Sequence, residues 1–145
     1  MKKTVIALRG VGSSGKTSSL IKLRVKLMKI YNAQEFDFNP INNKEKDFIS
    51  YLNLNKKSIC IISQGDGAYF MQEPLEAAID ANCDVIICAC RSYGDTQKVI
   101  NRICNSYDKV WITKNELDSD SNQNDLRDRA NEHSAHLILE IVQNL

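Results

Sequence analysis

Long apolar runs are missing from this chain. No stretch approaches the roughly 18 residues that a membrane-spanning helix needs, so no membrane partner is expected. The basic start Met1-Lys2-Lys3 leads only to Val5–Leu8, which Arg9 ends, too short for the apolar region of a secretory signal. An excess of one charge is missing too. The 19 Lys and Arg residues stand against 18 Asp and Glu, a net charge of +1, which gives no general pull towards nucleic acid or an acidic membrane. Cysteines in metal or redox spacing are also absent. Cys60, Cys83, Cys88, Cys90 and Cys104 are odd in number and contain no C-x-x-C pair. A disulfide framework is therefore not expected, and a metal site on Cys88 and Cys90 would need two further ligands. Cys60, Cys88 and Cys90 lie in apolar runs, where a free thiol acts as a small hydrophobe. A reduced, cytoplasmic protein is the expectation, and there is no internal repeat or low-complexity tract.

What is present suits a globular domain. With 145 residues, 43% apolar and 26% charged, residues 1–145 are expected to form a single domain with one real core. Short apolar runs predict strands at Thr4–Leu8, Ser58–Ile62, Asp84–Cys88 and Lys109–Thr113, with a weaker one at Glu35–Phe38. Near-continuous apolar runs suit parallel strands covered on both faces. Between them, Leu20, Leu23, Leu27 and Ile30 recur at helical spacing over Lys16–Ile30. Further helices are predicted at Asn43–Leu54, Glu73–Ala81 with Pro74 in the first turn, Thr96–Tyr107, and about Asn124–Val142 with Leu126, Ala130, Leu137 and Ile141 facing inward. Asn115–Asn122 reads as a polar surface loop. Alternating strands and helices predict an α/β fold, a three-layer α/β/α sandwich with a mainly parallel five-stranded sheet. On such sheets ligands bind at the C-terminal ends of the strands.

One of those ends carries the strongest pattern. Gly10-Val11-Gly12-Ser13-Ser14-Gly15-Lys16-Thr17 reads G-x-x-x-x-G-K-[ST], with an apolar strand before it and an amphipathic helix starting inside it. In this it resembles the P-loop NTPases, whose Walker A element has that form and that context. The specific part of the resemblance covers eight residues; the order of strands and helices extends it more loosely along the chain. It implies that the backbone of Gly10, Val11, Gly12, Ser13, Ser14, Gly15, Lys16, Thr17 and Ser18 cradles the phosphates of ATP or GTP. It implies that Lys16 reaches the β- and γ-phosphates and that Thr17 ligates Mg²⁺. The positive end of the helix would face the anion.

The other candidates are weaker. Such proteins place an acid at the end of another apolar strand. Here Ser58–Ile62 is followed by Ser63-Gln64-Gly65-Asp66-Gly67, so Asp66, a few residues late, is the candidate metal ligand or base. Asp66-Gly67 resembles the start of the Asp-Gly-aromatic-Pro-Arg element of nucleoside monophosphate kinases, but Ala68-Tyr69-Phe70 follows instead of Pro-Arg. Arg91, after the fourth predicted strand, is placed to stabilise charge on a transferred phosphoryl group, and P-loop kinases carry lid arginines after the corresponding strand. Lys98 and Arg102 could assist it. Asp37 is a second candidate base for an acceptor hydroxyl. Thr113-Lys114-Asn115-Glu116 resembles the [NT]-K-x-D guanine signature with Glu in place of Asp. Lys22, Lys26 and Lys29 form a basic helix face without interleaved aromatic residues, so nucleic acid is not the expected partner. His133 and His136 lie far from every motif.

The expected activity is Mg²⁺-dependent phosphoryl transfer from a nucleoside triphosphate, ATP ahead of GTP, to a nucleotide or another small metabolite. Lys16, Asp66 and Arg91 are the candidate catalytic residues, and Thr17 and Asp66 the candidate metal ligands. The alternative is a hydrolysing switch or regulatory nucleotide-binding module that acts through a protein partner, with a homodimer supplying part of the site.

Overall fold

The computed structural model describes residues 2–11, 14–42, 47–114 and 124–145. The elements run β1 (Thr4–Arg9), α1 (Lys16–Lys29), β2 (Gln34–Asn42), β3 (Asp47–Leu54), β4 (Lys57–Ile62), α2 (Ala68–Asp80), β5 (Val85–Cys90), α3 (Asp95–Ile103), β6 (Asp108–Thr113) and α4 (Asn124–Gln143). The fold is α/β, as expected, but the sheet of the described residues has six strands rather than five, in the order β2-β3-β4-β5-β1-β6. β1 pairs in parallel with β5 and β6, and β4 with β5. β3 pairs antiparallel with both β2 and β4, so it alone runs against the other five.

The additional strand corrects the helix expected at Asn43–Leu54. Asp47–Leu54 alternates with period two. Phe48, Leu52 and Leu54 are buried in one core cluster, and Ile49 and Tyr51 pack against the other. The two residues after it, Asn55 and Lys56, both have positive φ, at 50° and 68°, which is the backbone of a two-residue hairpin turn into β4. A helix would have placed those apolar groups on one side; the strand serves both faces of the sheet at once.

The strands alternate their side chains between two cores. Ile6, Leu8, Ile59, Ile61, Ile87 and Ala89 pack with Leu20, Leu23 and Leu27 of α1 and Ala135, Ile138 and Leu139 of α4. Val5, Ala7, Cys60, Ile62, Ile86, Cys88 and Cys90 pack with Met71 and Leu75 of α2 and Val99 and Ile100 of α3. Helices thus cover both faces, an arrangement compatible with three layers. β5 is buried at every residue, as its uninterrupted apolar run requires.

Three helices differ in detail from expectation. α3 ends at Ile103 rather than Tyr107, and the chain turns at Cys104 to enter β6 at Asp108. α2 starts at Ala68, so Pro74 lies inside the helix rather than in its first turn. α4 buries Ala135, Ile138, Leu139 and Val142, whereas Leu126 is exposed, so the inward stripe is turned by about one position. Two lysines of the basic face of α1 are engaged internally: Lys22 pairs with Asp128 and Glu132, and Lys26 with Glu132, which join α1 to α4, while Lys29 is exposed.

Candidate functional site

β1 stays hydrogen-bonded to both neighbours up to its end. Gly10 N donates to Cys90 O at 3.1 Å, and Lys114 N donates to Arg9 O at 2.8 Å. The loop that follows therefore emerges between the exits of β5 and β6, at the C-terminal edge of the parallel strands. Gly12 and Ser13 lie outside the described residues. Gly15 caps α1 with φ of 90°, a left-handed backbone that favours glycine. Among the described residues no side chain caps α1, and no acidic residue belongs to its first turn.

Lys16 follows, and its side chain is 6% exposed. The ammonium donates to Gly10 O at 2.7 Å and to Asp66 Oδ1 at 3.5 Å. Burial lowers its pKa from the ordinary lysine value, the Asp66 carboxylate works against that, and Arg91 adds to it. Ser14 Oγ is buried beside it in the loop and has no hydrogen-bond partner among the described residues.

Thr17, one residue further, donates its hydroxyl to Asp47 Oδ1 at 3.0 Å. The same carboxylate oxygen accepts from Ser63 Oγ at 2.9 Å, and Ser63 Oγ accepts from Phe48 N at 2.8 Å. Asp47 is 6% exposed and Ser63 1%. Asp47 is not legible as a site residue from the sequence because it lies inside Asn43–Leu54, the segment expected to be a helix. Its signal was present in the Phe48-to-Leu54 alternation: a strand ending in a hairpin to β4 must begin at the edge where β4 ends.

Asp66 lies on the exit from β4. Gly65 before it runs so close to the Ala89 carbonyl of β5 that a side chain there would collide with backbone. The Asp66 carboxylate, 64% exposed, stands 3.5 Å from Lys16 Nζ and 3.8 Å from Arg91 Nε. Arg91 Nε also donates to Asp66 O at 3.1 Å. Arg91 is itself held by α3: its N–H donates to Thr96 Oγ1 at 2.9 Å, and Gln97 Nε2 donates to Arg91 O at 3.0 Å. Lys16, Asp66 and Arg91, far apart in the chain, are thus brought together, while Thr17 is joined to Asp47.

Lys114 adds a second buried ammonium. It is 6% exposed, and its Nζ donates to Ser134 Oγ of α4 at 3.3 Å. A Cβ placed on Gly15 would lie 3.1 Å from its Cε, so the lysine stem lies over the loop. Burial alone lowers its pKa. Asn115 and Glu116, which completed the guanine-like pattern, lie outside the described residues.

Other candidates are left apart. Asp37 is exposed in the middle of β2, with β3, β4 and β5 between it and β1, so it does not stand at a strand end. Lys98 and Arg102 are exposed on α3, and Lys98 pairs with Asp95 at 3.5 Å. His133 is exposed, and His136 pairs with Glu140 along α4. All five cysteines are free and buried. No helix of the described residues is long and apolar enough to cross a membrane. No family model, no curated protein and no solved structure matches the chain.

Proposed function

We propose that this chain binds a nucleoside triphosphate with Mg²⁺ on the Gly10–Thr17 loop, as a P-loop protein does, and transfers the γ-phosphoryl group to a nucleotide or another small metabolite. The observation that carries the reading is the convergence on one loop of a buried Lys16 ammonium, a Thr17 hydroxyl joined to a buried carboxylate, and an uncapped helix start, with Arg91 facing the same place. Buried ammonium groups beside the start of a helix suit a polyphosphate.

The residues present fit a hard divalent cation. Thr17 and Asp47 offer only oxygen, and the partners of Asp47 among the described residues are two hydroxyls. In this reading the acidic role expected of Asp66 at the metal belongs to Asp47, and Thr17 and Asp47 would hold Mg²⁺ directly or through its water. Bound there, the ion would supply positive charge to the β- and γ-phosphate oxygens. Lys16 and Arg91 take the remaining charge as it moves. The acceptor oxygen bonds to the γ-phosphorus while the bond to the bridging oxygen breaks, and that electron pair leaves with the nucleoside diphosphate. Asp66, the carboxylate nearest both cations, takes the acceptor's proton.

The position of Asp37 favours a second reading. With that candidate base remote and Asp66 held between Lys16 and Arg91, water would take the place of an acceptor, and the chain would act as an ATP- or GTP-hydrolysing switch for a protein partner. The deciding experiment follows ADP release with Mg²⁺, alone and with a panel of nucleoside monophosphates, nucleosides and small metabolites, then repeats it with GTP. Strong stimulation by one compound, recovered in phosphorylated form, supports transfer. Slow release of phosphate indifferent to the panel supports the switch. No nucleotide binding at all would remove both.

A further inference from the structure

The geometry points to Asp66 as an internal stand-in for the γ-phosphate, and so as the residue by which this site distinguishes a nucleoside triphosphate from a diphosphate. The inference rests on the nucleotide reading above and concerns how the same site selects its ligand.

A buried ammonium needs an anion or a full set of acceptors. Lys16 has three N–H donors. One is taken by the Gly10 carbonyl at 2.7 Å and one is directed at Asp66 Oδ1 at 3.5 Å. Arg91 approaches the same carboxylate oxygen at 3.8 Å. Asp66 therefore places a negative charge between the two cations that the proposed reaction aims at the γ-phosphoryl group.

Its hold there is loose. The carboxylate is 64% exposed, and both contacts are longer than a strong charge-assisted hydrogen bond. Pairs this exposed are worth little, and a phosphate carrying more charge displaces them. The chain around Asp66 limits what moves. Gly65 is wedged against the β5 backbone, and α2 begins at Ala68, so displacement falls on Asp66 and Gly67.

The consequence differs between ligands. A diphosphate can use the third Lys16 donor and leave Asp66 in place. A γ-phosphate must occupy the space between Lys16 and Arg91, where the carboxylate would repel it, so Asp66 swings out. That movement frees Asp66 to meet an acceptor. Movement of Gly67 also strains the hydrogen bond that Phe70 N donates to Gly67 O at 3.2 Å, which closes the first turn of α2, where Tyr69 and Phe70 are 85% and 57% exposed.

The test is calorimetric titration of the wild type and Asp66→Asn with the Mg²⁺ complexes of ADP and of the β,γ-imido analogue of ATP. Removal of the competing charge should tighten the triphosphate analogue about tenfold, and ADP by less than about threefold, given the strength of a charge pair at such separations in a partly wet site. A variant that binds the analogue no better than wild type, or more weakly as loss of a metal ligand would require, overturns the inference and leaves the nucleotide reading standing. Failure of the wild type to bind either nucleotide overturns both. Amide exchange of the wild type gives a readout without substitution: Asp66–Phe70 should exchange faster with the analogue than with ADP, and equal exchange overturns the inference.

Discussion

Lys16 and Lys114 each keep an ammonium group at 6% exposure within reach of one loop. Desolvation is the first cause of the lowered pKa at both, so each residue opposes folding while it carries its proton. Such groups persist where a ligand needs them. Lys16→Ala should abolish the rise in melting temperature that Mg²⁺ and ATP give the wild type, measured by thermal shift; an unchanged rise would remove the phosphate role of Lys16. Lys114→Met should stabilise the nucleotide-free protein by about 1 kcal/mol, or about 2–4 °C at this size. The sign follows from linkage. With the folded pKa below the unfolded 10.5, the unfolded chain binds more protons between the two values, and wild-type stability rises with pH there. The advantage of Lys114→Met should therefore shrink as pH approaches 10.5, and a constant advantage would mean that packing rather than charge is responsible. Arg91→Ala tests a different property. If Arg91 meets charge that develops only during transfer, turnover should fall about 10²–10³-fold while nucleotide affinity changes little. Equal losses would mark it as a binding residue.

At the scale of elements, the hairpin β3–β4 decides the most. β3 enters the sheet against the other five strands, and that reversal brings its first residue to the ligand-facing edge. Asp47 therefore reaches Thr17 from a strand start, and the acidic partner of the loop comes from the one antiparallel member of the sheet. Asp47→Asn should weaken metal binding in the nucleotide complex by about tenfold or more, read with Mn²⁺ by electron paramagnetic resonance. Unchanged Mn²⁺ binding would return the metal role to Asp66. The turn that makes the hairpin is a second point of test. Lys56 holds φ of 68°, costly for a residue with a Cβ. Lys56→Gly should raise the denaturant midpoint, by the equivalent of about 0.5 kcal/mol, and leave the site unchanged. The elements also show which local signals were legible. β1, β4 and β5 stood out because a strand covered on both faces is apolar at nearly every position, whereas β6, a half-buried edge strand, shows only the short apolar run Val110–Ile112. Asp47–Leu54 does not stand out, because its polar positions Ser50 and Asn53 break the apolar run into a spacing that also fits a short helix.

For the whole molecule, what the amino-acid sequence determined by itself is everything that depends on neighbours along the chain. Gly10 to Thr17 specify a strand–loop–helix turn through backbone freedom and spacing, and the α/β class follows from runs whose length and period are local properties. Which side chains meet across the sheet was decided by the tertiary structure. The Asp66–Lys16–Arg91 cluster joins residues from the exits of β4, β1 and β5, and the Thr17–Asp47–Ser63 chain of hydrogen bonds joins α1, β3 and the exit of β4. Asp37 and Asp47 illustrate the division. Both are acids beside apolar residues, and nothing local separates them. Strand order and direction place Asp37 in mid-strand at the outer edge and Asp47 against the loop, because pairing and register are set by burial on both faces of the sheet rather than by either residue's surroundings in sequence.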